Sequence, residues 1–119
     1  VDGDGAEELL VGAPGANTVY LVRSLSESLD EASTWTVESG RFGQSVACRS
    51  GEAWIGAPLY GESARGALYR VEAQEEPEVF LEGHTPGSQL GFSLSASVQE
   101  VWAGAPGTGD TKGRAWCIY

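Results

Sequence analysis

The first nine residues hold the densest chemistry in the chain: Val1-Asp2-Gly3-Asp4-Gly5-Ala6-Glu7-Glu8-Leu9 interleaves carboxylates with glycine. Acids at alternate positions, a glycine that lets the backbone turn tightly and a later acid can converge hard oxygens on one cation, the arrangement that suits Ca2+. The same residues also read as a solvated acidic turn. Elsewhere the reactive types are thin. His84 is the only histidine and lies between Gly83 and Thr85-Pro86 in an expected turn. No serine or cysteine has a neighbourhood that points to an activated nucleophile. Glu75, Glu76 and Glu78 supply carboxylates, yet such a run is more often a solvated edge than a catalytic pair. The expectation is a protein that is not an enzyme. Cys48 and Cys117 form no Cys-x-x-Cys pair, which leaves neither a zinc motif nor a redox motif. Two small buried thiols in strands are the preferred reading of these cysteines, and a disulfide is the other.

Composition narrows the partners. With 17 acidic residues against 7 basic ones the net charge is −10, and both nucleic-acid backbones and anionic lipid surfaces need clustered Lys and Arg. No nucleic acid and no membrane insertion are expected, since no stretch approaches the roughly 20 apolar residues of a spanning helix. A hydrophobic content of 41% over 119 residues is that of a globular chain.

The elements that must position any site are repeated. Gly12-Ala13-Pro14, Gly56-Ala57-Pro58 and Gly104-Ala105-Pro106 each close an apolar run: Leu9-Leu10-Val11, Ala53-Trp54-Ile55 and Val101-Trp102-Ala103. The spacings, 56 − 12 = 44 and 104 − 56 = 48 residues, match one four-stranded propeller blade. A second motif, Gly43-Gln44-Ser45 and Gly91-Phe92-Ser93, precedes the later two sites by the same 13 residues (56 − 43 and 104 − 91). Behind each Gly-Ala-Pro comes a turn-rich stretch and a small-aromatic strand: Asn17-Thr18-Val19-Tyr20, Gly66-Ala67-Leu68-Tyr69 and Gly113-Arg114-Ala115-Trp116. Thr34-Trp35-Thr36-Val37 and Glu78-Val79-Phe80-Leu81 supply a fourth strand in the first two units.

Short runs of Val, Leu and aromatics between Gly, Pro, Asn, Asp and Ser give an all-β reading. Only residues 24–33 could hold a helical turn, and a long connection is the better reading there. Gly and Ala at the inner ends of strands permit close backbone approach, and proline then stops the ladder because it has no N–H to donate. In Gly-x-Ser the glycine allows a strained approach to the innermost strand, and the serine hydroxyl can satisfy a neighbouring loop's backbone.

Phe42-Gly43-Gln44-Ser45-Val46-Ala47 followed by Trp54-Ile55-Gly56-Ala57-Pro58 resembles the FG-GAP repeat, the blade unit of integrin α-subunit heads and of bacterial secreted proteins. Leu90-Gly91-Phe92-Ser93 with Trp102-Ala103-Gly104-Ala105-Pro106 is similar, with Leu90 in the Phe slot, and Asp2 to Pro14 looks like the tail of a third unit. The likeness covers nearly the whole chain. It implies a β-propeller fragment of about two and a half four-stranded antiparallel blades: residues 1–40 with strands two to four, 41–83 complete, and 84–119 with strands one to three. Such a set of 3 + 4 + 3 strands cannot close a ring, so the remaining blades are expected elsewhere. The resemblance also implies Ca2+ in the loop between strands one and two. Asp2 and Asp4 match its second and third acidic positions, the Ala6 carbonyl its backbone ligand and Glu8 its final acid. The chain departs from that pattern in having no residue at the first acidic position and Glu8 where the family usually has Asp.

Of the functions the family carries, an extracellular binding or adhesion module is expected first, secreted or at the cell surface, with a protein or glycan ligand. Its recognition loops would be Leu59 to Arg65, Gly107 to Lys112 and Glu82 to Pro86, with Tyr60, Glu62, Arg65, His84 and Asp110 as contact residues. The alternative is a non-catalytic propeller appendage of a secreted or surface hydrolase, like the FG-GAP blades that accompany a phospholipase.

Overall fold

Proline cannot donate to a ladder, and each of the three Gly-Ala-Pro sites ends a strand at its alanine. The structure, a computed structural model, describes residues 9–22, 33–49, 52–61, 63–72, 75–83, 86–97, 100–107 and 114–118. In chain order these form β1 (Leu9–Ala13), a single 3-10 turn (Pro14–Ala16), β2 (Thr18–Val22), β3 (Ser33–Thr36), β4 (Ser45–Arg49), β5 (Glu52–Ala57) and β6 (Ala67–Glu72). Then follow β7 (Glu78–Glu82), β8 (Ser93–Ala96), β9 (Val101–Ala105) and β10 (Arg114–Ile118). The fold is all-β. Residues 1–8 and 23–32, and with them the acidic loop and nearly all of the stretch with helical potential, lie outside the described residues.

Three antiparallel sheets follow one another along the chain, in the orders β1-β2-β3, β4-β5-β6-β7 and β8-β9-β10. The 13-residue offset noticed in the sequence is a hairpin closure. Gly43 N–H donates to the Gly56 carbonyl at 3.1 Å and Gly91 N–H to the Gly104 carbonyl at 3.0 Å. Beyond that bond the registers are the same, Ser45 opposite Gly56 and Ser93 opposite Gly104. The turns before β4 and β8 are also copies of one another. Arg41 and Gln89 both take left-handed φ, 57° and 58°, and the glycines two residues later follow at 99° and 94°. Non-glycine residues rarely take that region, so its recurrence at the same place in two units marks one shared backbone path.

Side-chain alternation then assigns each sheet its two faces. In the middle sheet, Ala53, Ile55 and Ala57 of β5 with Ala67, Tyr69 and Val71 of β6 point toward the first sheet and pack with Val19, Leu21 and Trp35. Phe42, from the turn before β4, fills the wedge between those sheets and meets Tyr69 edge to face at 4.9 Å. Leu68 points the opposite way, into a second core with Leu90, Ala103 and Ala105. Leu90 thus fills the second wedge as Phe42 fills the first. Because β5 is covered on both faces, Trp54 and Ile55 are both fully buried neighbours in sequence, which is why Ala53-Trp54-Ile55 reads as a continuous apolar run.

The glycines set how closely successive sheets approach. A Cβ on Gly12 would overlap the Gly43 carbonyl, and one on Gly56 would overlap the Gly91 carbonyl. Ser45 Oγ completes the second junction by donating to the Gly91 carbonyl at 2.8 Å. The serine of one unit therefore ties down the glycine of the next, a structural role that needs no reactivity.

Two details correct the reading of the sequence. No disulfide joins Cys48 and Cys117, and they are not a pair of buried thiols: Cys48 is exposed and Cys117 is half-buried with Sγ 3.4 Å from Glu100 Oε2. The register of β6 against β7 shifts between Leu68 and Tyr69. That bulge turns Phe80 over Trp54, ring to ring at 4.9 Å.

Burial, then the nearby Tyr60 and Glu82, push the Tyr69 hydroxyl above its ordinary value of 10.0. A raised folded pKa means that the unfolded chain releases this proton first, so stability is intact below pH 10.0 and falls as pH rises from there through the folded value. Tyr69→Phe is expected to flatten the alkaline limb of a denaturant-midpoint-versus-pH curve above about pH 10. An unchanged limb would show that this hydroxyl does not drive alkaline unfolding.

Candidate functional site

The residues singled out in the sequence divide in two. Asp2, Asp4, Ala6, Glu8, Glu62, His84 and Asp110 lie outside the described residues, whereas Tyr60 and Arg65 are both placed on the loop joining β5 to β6. This loop is built by local turns. Tyr60 N–H donates to the Ala57 carbonyl at 3.1 Å, and the Tyr60 carbonyl accepts from Gly66 N–H at 3.1 Å. Gly61 and Gly66 supply left-handed turns with φ of 87° and 82°.

Tyr60 and Arg65 end in different surroundings. The Tyr60 ring is half-buried against the core and lies edge to face with Tyr69 at 6.2 Å, so its main work is packing. Arg65 is exposed. Its backbone is nonetheless fixed, because the Arg65 carbonyl accepts from Leu90 N–H at 3.0 Å and from Ser88 Oγ at 2.6 Å. Gln89 N–H adds a bond to the Ala64 carbonyl at 3.0 Å. The loop between β5 and β6 is therefore stitched to the linker that leads into β8, and the two form one continuous edge.

Arg65 opens onto a cleft of roughly 380 Å³ whose other walls are Phe80, Leu81, Glu82 and Gly83. An arginine, a glutamate and a phenylalanine line this open cleft, and side chains of these types can pair with hydroxyl or carboxylate groups and stack on an apolar face. Arg70 lies over the Phe80 ring, 5.5 Å from its centre, and 3.5 Å from Glu52, a cation–π contact that helps to hold the ring. Phe80 was not recognisable as a site residue from sequence, since a regular β7 would alternate it differently; only the bulge brings it here. The Glu72 carboxylate hydrogen-bonds Glu75 and raises its pKa. Both acids are exposed, as is Glu76, so the acidic run lies along the surface of the turn before β7. Among the described residues no three His, Cys, Asp or Glu side chains converge as a metal site would need.

No family model and no curated protein matches this chain.

Proposed function

We propose that the chain is part of an FG-GAP-type β-propeller that works as an extracellular, calcium-stabilised binding module, with the Arg65 cleft and its stitched loops as the recognition surface. The observation that carries this reading is the repeated sheet-to-sheet junction. The same glycine contact, the same left-handed turn and the same hairpin closure recur 48 residues apart (91 − 43), so one operation relates successive sheets. Repetition of one operation is what builds rings and solenoids, and a protein of that kind presents recognition on loops while its sheets stay rigid. Binding rather than bond-breaking also suits a cleft whose charged groups are exposed to water.

A screen of glycans and extracellular-matrix proteins tests the binding role. Arg65→Ala is expected to weaken the captured ligand at least 10-fold, the loss of one charged hydrogen-bonding anchor, at an unchanged melting temperature. A ligand held equally well by Arg65→Ala, or no ligand at all, removes the proposal.

Calcium is tested separately. The Asp2, Asp4, Ala6 and Glu8 set is proposed to bind it immediately before β1, and a ligand that binds only the folded state raises its stability. Millimolar calcium is expected to raise the melting temperature by roughly 5 °C or more over chelator, and Asp4→Ala is expected to abolish the rise. Superimposable melting curves would exclude the metal.

A further inference from the structure

We propose that the outer edge of β7 takes up a basic, extended segment of another protein, which adds to the four-stranded middle sheet and sets two Lys or Arg side chains, three positions apart, against Glu78 and Glu82. This edge borders the Arg65 cleft but needs neither Arg65 nor calcium, and so goes beyond the cleft reading.

β7 ends the order β4-β5-β6-β7, so among the described residues one side of its backbone pairs with β6 and the other side with nothing. A strand in that position offers a row of N–H and C=O groups to any chain that can lie alongside. The middle sheet is also the one with a described sheet packed on each face. Its open edge therefore does not arise from a missing neighbour sheet. The side chains of β7 are as open as its backbone: Val79 is 39% and Phe80 45% exposed, which leaves apolar surface in water at two successive positions of an edge strand.

The edge is held in place before any partner arrives. In the turn before β7 the Trp35 indole N–H donates to the Glu75 carbonyl at 3.1 Å, and just after the strand Gly83 N–H donates to the Gly66 carbonyl at 2.9 Å. A strand fixed at both ends has little freedom left to lose on pairing.

Charge selects the occupant. Glu78 and Glu82 stand exposed at the two ends of β7, and Glu75 and Glu76 are exposed just ahead of it. Arg70, across from Glu78, is turned to Glu52 at 3.5 Å. A second copy pairing antiparallel through the same strand, centred on Phe80, would set Glu78 against Glu82 twice, and like charges directly opposite are unfavourable. A segment carrying cations at those two positions gains where a copy loses.

The bulge fixes their spacing. In a regular strand Glu78 and Glu82, four apart, would share a face. β6 covers the same length in three steps, with Arg70 opposite Glu78 and Ala67 opposite Glu82, so the two glutamates stand on opposite faces. Glu82 is on the face of Ala67, toward the first sheet, and Glu78 is on that of Arg70. A regular strand on the outer side of β7 follows the same count. Its cations reach both carboxylates when three apart and only one when four apart.

The probe is the capped peptide Thr-Val-Lys-Val-Val-Lys-Val-Thr, which reads alike in both directions, titrated against the whole chain by fluorescence anisotropy. Saturable binding is expected, weakened at least 10-fold by replacing both lysines with glutamate or by moving them four apart in Thr-Lys-Val-Val-Val-Lys-Val-Thr. N-methylation of the peptide's amides is expected to abolish it, and hydrogen exchange across residues 78–82 is expected to slow when the unmodified peptide is bound. Glu78→Lys combined with Glu82→Lys, both at exposed positions, is expected to reverse the preference toward the glutamate peptide. No saturable binding, or equal affinity for the two lysine spacings, overturns the proposal. So does binding that survives N-methylation, which would mean that net charge alone attracts the peptide, and so does a folded double variant that keeps the original preference. A chain that dimerises in the ultracentrifuge with residues 78–82 protected also overturns it, because the occupant would then be a second copy. Arg65→Ala is expected to bind the peptide unchanged, which tells failure of this proposal from failure of the cleft reading; a 10-fold loss there would place the peptide in the cleft and overturn the edge.

Discussion

Gly56→Ala is expected to remove about 3 kcal/mol or more from the stability of this chain, a large part of the roughly 5–15 kcal/mol that a domain of this size commands. The reason is backbone against backbone. An added Cβ at position 56 would run into the Gly91 carbonyl and crowd Ser45 Oγ, and neither neighbour can swing aside as the end of a long side chain would. Relief requires the third sheet to back away from the middle one. That retreat breaks the hydrogen bond from Ser45 to Gly91, worth about 1 kcal/mol, and loosens the apolar wedge around Leu90. Gly15→Ala is the control, because nothing lies within 4 Å of a Cβ there, and its effect is expected within about 0.5 kcal/mol of zero. Chemical denaturation of the two variants decides the matter. Equal midpoints would mean that sheet spacing is not set by the absence of a side chain.

The second large effect separates two tryptophans that the sequence makes equivalent. Trp54→Ala is expected to cost about 3–5 kcal/mol, the range for deleting a large buried aromatic and leaving a cavity, because its ring is fully enclosed and meets Phe80 edge to face. Trp102→Ala, the same change 48 residues on, is expected to cost about 1 kcal/mol or less in the same chain, since 44% of that residue is already in water. Denaturant midpoints measure both. Similar losses would mean that the outer face of the third sheet is already covered in solution.

Much of the architecture was legible because the repeats carry it in residue types. Proline after Gly-Ala ends a strand whatever surrounds it, and a glycine held at left-handed φ has few substitutes, so Gly43, Gly91 and the Gly-Ala-Pro sites mark strand ends in any context. Three antiparallel sheets of three, four and three strands follow. The site was less legible. Arg65 stood out as a loop arginine, but Tyr60 drew attention for the same reason and turned out to pack against Tyr69. An aromatic in a turn reads alike whether its ring faces the core or water. Phe80 escaped notice because a bulge has no residue signature in β7 comparable to a left-handed glycine. The exposure of the two cysteines is not legible either, because register does not say how far a neighbouring sheet covers an edge strand, and β4 and β10 both lie at the edges of their sheets.

By itself, then, the sequence determined which segments are strands, where the Gly-Ala-Pro strands stop and that the units repeat, since these depend on local backbone chemistry: missing N–H groups, missing Cβ atoms and alternating apolar side chains. Only the tertiary structure decided which face of each sheet is covered, which glycine meets which carbonyl and which of two equivalent tryptophans is enclosed. Those outcomes depend on contacts between residues about 27–35 positions apart (Phe42 to Tyr69 and Gly56 to Gly91 among them), and identical local sequence carries no record of whether a neighbouring sheet is present.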